Sequence, residues 1–185
     1  VVTLSGGNSL LFKNGADGGS LVDITPSLYT VTANNWKGAS LYDHAMIVQE
    51  SHEPIIYTES ASPAAQTMTD YTGVTQSYGS SFPRDVMAAY GRFWAHDGST
   101  VYWSTDIADV TFPAFNGGTS GTLNISSVLP NNVDTIVARA AHNGFLIIFC
   151  ERNIVIYAGA ENPIGNFALS DIIAGVGCIA RDSVQ

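Results

Sequence analysis

Four aromatic residues that close short apolar runs recur along the chain at nearly constant spacing. They are Phe12, Tyr57, Trp103 and Tyr157, and successive members lie 45, 46 and 54 residues apart. Each is interpreted as the end of the last strand of one repeat, as in EPIIY and NIVIY. A period in the forties that is filled with strands and turns is typical of stacked four-stranded units. The spacing therefore predicts an all-β fold, a β-propeller-like array of antiparallel blades.

Turn signals divide the apolar runs inside each repeat. Asp97-Gly98 between two apolar runs predicts a hairpin, because both central residues of a type I′ turn have positive φ. Three glycines are predicted to occupy positive-φ turn positions: Gly91, Gly98 and Gly144. Further turns are predicted at Gly6-Gly7, Ser51-His52, Tyr90-Gly91, Asn143-Gly144 and Glu151-Arg152.

The repeats suggest approximate limits for the blades. We place them at 1–15 (partial), 20–66, 67–115, 116–165 and 166–185 (partial), so that residues 1–185 form an internal segment of a larger propeller domain. The four closing aromatics are expected to pack between blades. Small residues in the first strand of a repeat, such as Ala88 and Ala89, suit a crowded strand near a propeller axis. The alternative fold is a β-sandwich with irregular hairpins.

The charge balance argues against a protein that binds the phosphates of a nucleic acid. The chain of 185 residues has 16 acidic and 7 basic residues, for a formal charge of −9. The basic residues are scattered singly, whereas phosphate binding requires clustered Lys and Arg. Hydrophobic residues make up 45% of the chain, which supports a folded domain. No apolar run is long enough to span a bilayer.

No catalytic, cofactor-binding or metal-binding residue is predicted. The four histidines lack partners at metal-ligand spacing and are interpreted as turn or surface residues; they are His44, His52, His96 and His142. Cys150 and Cys178 are interpreted as small buried hydrophobic residues. The segment Asp97-Gly98-Ser99-Thr100 departs from the Asp box of sialidase-type propellers, which has one residue between Asp and Gly. A glycan-cleaving enzyme is therefore a weaker hypothesis.

Four aromatics in polar surroundings leave a binding function open. They are Trp36, Tyr42, Tyr71 and Tyr78, which would suit a carbohydrate- or receptor-binding module or would cap blade edges.

Two phrases of the second half resemble a known family. The phrases AAYGRFWAHDGSTVYWSTD and NGFLIIFCERNIVIYAGAENP, with IAGVGCIARDSVQ after the second, are similar to blade phrases of tail proteins of short-tailed bacteriophages. The family is that of the tail nozzle, also called tail tubular protein B, and the related tail hub. The resemblance covers roughly residues 84 to 185.

The resemblance implies a structural role in the virion tail. Members of the family form a hexameric ring below the tail adaptor, and their lumen retains the viral DNA and conducts it during ejection. The implied partners are further copies of the chain, the adaptor and other tail proteins, and DNA that passes without sequence recognition. The resemblance implies no enzyme activity, no cofactor and no membrane insertion, with assembly in the host cytoplasm.

Overall fold

The fold is that of a computed structural model, which describes most of the chain from residue 36 onward. The described residues are 2–3, 9–10, 12–13, 22–23, 36–49, 52, 54–58, 69–70, 82–106, 114–115, 118–129, 133–161 and 166–184. The fold is all-β and antiparallel. Within the described part, helical structure consists of two short 3-10 turns, Ile125–Ser127 and Arg181–Ser183, and of the single 3-10 residue Asn166. No helix in that part is long and apolar enough to cross a membrane.

The first described strands form two two-stranded pairs. Strand β1 (Val2–Thr3) pairs with β2 (Ser9–Leu10), and β3 (Phe12–Lys13) pairs with β4 (Val22–Asp23). The predicted turn at Gly6-Gly7 lies outside the described residues. Phe12 opens β3, so it does not close a strand as the spacing predicted.

Three four-stranded antiparallel sheets follow, each with its strands in chain order. Sheet 1 contains β5 (Trp36–Leu41), β6 (His44–Gln49), β7 (Ile55–Thr58) and β8 (Thr69–Asp70). Sheet 2 contains β9 (Asp85–Ala89), β10 (Arg92–His96), β11 (Thr100–Trp103) and β12 (Gly121–Asn124). Sheet 3 contains β13 (Ile136–His142), β14 (Phe145–Cys150), β15 (Asn153–Ala158) and β16 (Ala168–Ala174).

The first hairpin of each sheet turns through a residue in the left-handed region. Tyr42, Tyr90 and Asn143 have φ of 52°, 53° and 48°. In sheets 2 and 3 the next residue is also left-handed, with φ of 71° at Gly91 and 78° at Gly144. Two consecutive positive-φ residues match the right-handed twist of the flanking strands, which explains the glycines there.

The second hairpin of sheet 2 is not the predicted type I′ turn. Gly98 has a φ of 113°, but Asp97 lies outside the positive-φ region. Asp97 instead accepts hydrogen bonds at its Oδ1 from the backbone N–H groups of Ser99 and Thr100, both at 2.9 Å. The carboxylate therefore organises the turn through its own hydrogen bonds.

The three sheets pack in series through alternate side chains of their strands. We call the face of a sheet that points to the next sheet its forward face, and the opposite face its backward face. The forward face of sheet 1 packs on the backward face of sheet 2 in one buried cluster, with Met46, Val48 and Ile56 against Phe93, Ala95 and Tyr102. The forward face of sheet 2 packs on the backward face of sheet 3 in a second cluster, with Trp94, Val101 and Trp103 against Leu146, Ile148, Val155 and Tyr157.

The first strands of successive sheets lie side by side. Strand β5 contacts β9, and β9 contacts β13. Because each sheet repeats the same strand order, this contact gives the three sheets a common leading edge.

Three of the closing aromatics, Tyr57, Trp103 and Tyr157, lie on the third strand of a four-stranded sheet and not on the last strand as predicted, since a fourth strand follows each of them. Trp103 pairs with Trp94, whereas Tyr157 pairs with Leu146 and Tyr57 with Ala45. Counted from the first hairpin, Trp103 is therefore one residue out of register with Tyr57 and Tyr157. A shift of one residue reverses the face of a strand residue, so Trp103 points forward and Tyr157 backward.

The predicted limits at 66, 115 and 165 each precede the fourth strand of a sheet. Strand β8 pairs with β7, β12 with β11 and β16 with β15. The assignment of these strands to the following repeat is thus corrected.

Candidate functional site

The contact between sheets 2 and 3 is the best-defined candidate site of the described chain. Four aromatic rings meet there, contributed by Trp94, Trp103, Tyr157 and Phe167. Phe167 stacks on Tyr157 with ring centroids 4.9 Å apart, and its centroid lies 5.4 Å from that of Trp103 in an edge arrangement. Aromatic pairs in these geometries stabilise a core beyond their buried area. Two of the predicted interface aromatics, Trp103 and Tyr157, therefore enter the same contact from opposite sheets.

A tyrosine hydroxyl links the first hairpins of the two sheets. Tyr90 donates its hydroxyl to the carbonyl oxygen of Phe145 at 3.1 Å and accepts the N–H of Gly144 at 3.0 Å. Burial raises the pKa of Tyr90, and the negative charge of Glu161 acts in the same direction. The neutral hydroxyl is thus the form that fits this position.

A buried ion pair joins the first strands of the same two sheets. Arg139 on β13 lies with its Nη2 3.5 Å from Oδ2 of Asp85 on β9. The side chain of Arg139 is fully buried and that of Asp85 nearly so. A buried guanidinium without a charged neighbour would be costly, so this pair constrains how sheet 3 sits on sheet 2.

His96 is a second buried polar group near this pair. It is 1% exposed, and neither ring nitrogen has a hydrogen-bond partner among the described residues. Burial lowers its pKa well below the usual value, and the charges of Arg139, Arg84 and Arg181 lower it further. His96 is therefore a neutral imidazole near pH 7.

His96 lines a cleft of about 460 Å³ that opens to solvent. Arg84 and Arg181 contribute positive charge to its wall, and Glu151 and Asp182 contribute negative charge. Arg181 donates from Nη1 to the carbonyl oxygen of Arg84 at 2.7 Å. The C-terminal turn is also tied to sheet 1, since Asp182 forms an ion pair with Lys37. That pair lowers the pKa of Asp182. The charges of the cleft wall are therefore mixed.

The described residues that line the cleft contact one another through hydrogen bonds and an ion pair. His96 has no hydrogen-bonded acid or hydroxyl in the described residues, so it lacks the orienting partner that a general base requires. Among those same residues, no group of three or more His, Cys, Asp and Glu side chains is placed to hold a metal ion.

The histidines were only partly interpreted correctly from sequence. His142 is exposed at the end of β13, but His44 and His96 are 2% and 1% exposed, so the surface assignment of these two is wrong. Both lie on second strands, in which alternate side chains point into the core. A single polar residue in such a strand keeps the orientation that its position sets, so its side chain is buried as well.

Both cysteines are buried and free, with exposures of 0% and 9% for Cys150 and Cys178. Of the four aromatics considered for ligand stacking, Tyr42 is 73% exposed and Trp36 is partly buried. Tyr71 and Tyr78 lie outside the described residues.

Arg92 is a structural residue that the sequence did not single out. It is buried on β10, and its Nη1 donates to the carbonyl oxygens of Ser104 and Thr119 at 2.9 and 3.1 Å. These bonds hold the segment before β12 against the third strand. The signal available in sequence was a single Arg directly after a predicted turn, which is not distinctive.

The chain matches no known protein-family model, and no curated protein matches it in sequence.

Proposed function

We propose that the chain is a propeller-type structural segment of the tail nozzle or hub of a short-tailed bacteriophage. The observation that carries this proposal is the serial packing of three equivalent antiparallel sheets whose first strands lie side by side. Twisted sheets that stack with a common leading edge diverge away from it, as the blades of a propeller do. In this proposal β5, β9 and β13 are the strands nearest the axis.

The buried contacts support a role in packing and assembly. The segments that resemble tail nozzle blades, AAYGRFWAHDGSTVYWSTD and NGFLIIFCERNIVIYAG, supply most of the side chains at the contact between sheets 2 and 3. The residues of the resemblance are thus those that make one sheet fit the next. A scaffold that is built in this way is compatible with a function that depends on the shape of the whole assembly.

The proposed activity is to form part of a channel that retains and then conducts viral DNA. The formal charge of −9 supports this role, because an acidic wall repels phosphates and lets DNA slide without adhesion. By the family resemblance, the proposed assembly is a hexameric ring in the virion tail that contacts the adaptor and other tail proteins.

Negative-stain electron microscopy of the purified protein tests the proposal. We expect six-fold rings with a central hole, and no retardation of double-stranded DNA in a gel at physiological salt. Isolated particles without a ring, combined with saturable glycan binding that Tyr42→Ala abolishes, would overturn it in favour of a carbohydrate-binding module. Turnover of a glycan substrate would instead favour an enzyme.

A further inference from the structure

The imidazole of His96 lies at the bottom of the cleft between sheets 2 and 3. It is 1% exposed, and both of its ring nitrogens lack a hydrogen-bond partner among the described residues. A buried polar group is costly in free energy unless a partner reaches it. Since His96 lines the cleft, a molecule in the cleft is placed to supply that partner.

Backbone hydrogen bonds fix the walls of the cleft around this imidazole. The N–H of Arg84 donates to the carbonyl oxygen of His96 at 2.8 Å, and the N–H of Ile136 donates to that of Gly98 at 2.7 Å. The second of these bonds joins sheet 2 to the first strand of sheet 3. Both sheets and the C-terminal turn that completes the cleft belong to the described residues, so the cleft does not depend on an uncovered outer face.

The fold gathers arginines that are far apart in the sequence. Arg84, Arg139 and Arg181 are three of the seven basic residues, and the positive charge of each acts on His96. The guanidinium of Arg84 lies over the turn that follows His96, because a Cβ atom on Gly98 would be 3.5 Å from its Nη1. Arg181 is held beside it by its own hydrogen bond to the carbonyl oxygen of Arg84. The electrostatic potential at the imidazole therefore favours a negatively charged ligand.

Two carboxylates also line the cleft, but they leave this potential positive. Asp182 lies 3.7 Å from Nε of Arg181 and is also paired with Lys37, which adds a positive charge to the same group. Glu151 is exposed on the turn between β14 and β15. The acidic groups thus lie at the outer part of the cleft, whereas His96 lies at its bottom.

We propose that the cleft binds a small oxyanion, which is a phosphate or carboxylate group of a small molecule, with His96 donating a hydrogen bond and Arg84 and Arg181 supplying guanidinium contacts. A volume of about 460 Å³ is in the range of small-molecule sites. Guanidinium groups bind such oxyanions through paired N–H donors. The inference rests on the cleft and goes beyond the proposed function, which it does not require.

Nuclear magnetic resonance of protein labelled with ¹⁵N in its histidine rings tests the site. We expect the ring signals of His96 to shift saturably as inorganic phosphate or acetate is added, while those of the exposed His142 stay in place. Saturation by phosphate alone assigns the site to phosphate groups, and saturation by acetate alone assigns it to carboxylates. Failure of both probes, or an equal response to sodium chloride at the same ionic strength, would overturn the proposal.

Substitutions at the cleft provide the second test, by calorimetric titration with the probe that binds. His96→Leu should abolish binding and still fold, because leucine removes the unpartnered polar atoms and keeps a similar volume. Arg84→Gln should weaken the affinity at least about tenfold, because a charge-assisted hydrogen bond is lost. Arg152→Gln is the matched control, since Arg152 is an exposed arginine on the neighbouring turn and is not among the residues that line the cleft.

The outcomes separate this site from folding and from the proposed function. Binding that persists in a folded His96→Leu variant, or equal weakening by Arg84→Gln and Arg152→Gln, would overturn the proposal. Circular dichroism melts check folding, and the comparison of the two arginine variants decides alone if His96→Leu is unfolded. Six-fold rings without oxyanion binding would overturn the site and leave the nozzle proposal standing, whereas oxyanion binding without rings would have the reverse meaning.

Discussion

The indole ring of Trp103 covers the α-carbon of Gly121, its cross-strand partner in sheet 2. A Cβ atom on Gly121 would lie 2.8 Å from the indole Cε2. The indole has little freedom to move, because its Nε1 donates to the carbonyl oxygen of Thr119 at 3.2 Å and the ring packs against Trp94. The absence of a side chain at Gly121 is thus what admits the large ring.

Gly121→Ala should lower the free energy of unfolding by about 1 to 3 kcal/mol, because the new methyl group overpacks the indole. Urea unfolding followed by tryptophan fluorescence measures the change. Gly38→Ala is the matched control, since Gly38 also lies in a strand and its Cβ would meet the nearest atom at 3.6 Å. Equal stability of the two variants would contradict the assigned contact.

Gly98→Val should be destabilising by about 1 to 3 kcal/mol for a different reason. Gly98 has a φ of 113°, which a β-branched residue does not adopt without strain. A hydrogen bond also holds the backbone at Gly98 in place, because the carbonyl oxygen of Gly98 accepts the N–H of Ile136 at 2.7 Å. Thermal melts should show a lowered Tm for Gly98→Val and a smaller effect for Gly38→Val, where the glycine lies in a strand. An unchanged Tm would refute the turn assignment.

Tyr90→Phe tests the hydrogen bonds between the hairpins of sheets 2 and 3. The variant removes the hydroxyl that bonds to Gly144 and Phe145, so we expect a loss of about 1 to 2 kcal/mol in unfolding free energy. Tyr42→Phe is the control, because Tyr42 occupies the same turn position in sheet 1 and is 73% exposed. If Tyr42→Phe lowered the free energy of unfolding as much as Tyr90→Phe, the hydroxyl contacts of Tyr90 would not be the cause of the loss.

The apolar runs and their turns were sufficient to predict strands and hairpins. FLIIFC and NIVIY became second and third strands because their alternate residues are apolar on both faces, as expected for a sheet covered on two sides. The all-β fold followed from these runs. The propeller arrangement remains a prediction.

Other features depend on tertiary contacts that the sequence does not display. Strands β12 and β16 are rich in polar or exposed residues and pair at the edge of their sheets, so period-2 apolar alternation does not reveal them. The spacing of the aromatics also carries no information about which face of the sheet each ring occupies. Trp103 and Tyr157 were therefore assigned to equivalent positions, although their side chains point in opposite directions. The Arg139–Asp85 pair joins residues 54 positions apart and carried no local signal.

The stability of the protein should fall above about pH 10 because of Tyr102. Its side chain is 3% exposed and donates its hydroxyl to Oδ2 of Asp97 at 2.8 Å. Burial, followed by the hydrogen bond to Asp97, raises the pKa of Tyr102. Because the folded-state pKa lies above that of the unfolded chain, this contribution to stability is complete below the unfolded pKa of about 10 and is lost as the pH rises beyond it.

Urea unfolding between about pH 8 and about pH 11 measures this dependence. One such tyrosine reduces the free energy of unfolding by about 1.4 kcal/mol per pH unit above its unfolded pKa. Tyr102→Phe should therefore be less stable than the wild type at neutral pH but should show a shallower alkaline decline. Identical slopes for the two proteins would rule out the assigned titration.

Cys150 should resist thiol reagents as long as sheets 2 and 3 stay together. It is fully buried in their contact, and burial raises the pKa of its thiol to about 12, with Asp134 acting in the same direction. At pH 8 only about one thiol in ten thousand is then the reactive thiolate.

In a Cys178→Ser background, labelling with a chromogenic disulfide should be much slower for the native protein than in denaturant. Cys150→Ala, which leaves only Cys178, is the comparison. Native labelling of Cys150 at the rate of the unfolded chain would show that the contact opens readily, contrary to the packing of Leu146, Ile148 and Cys150 against sheet 2.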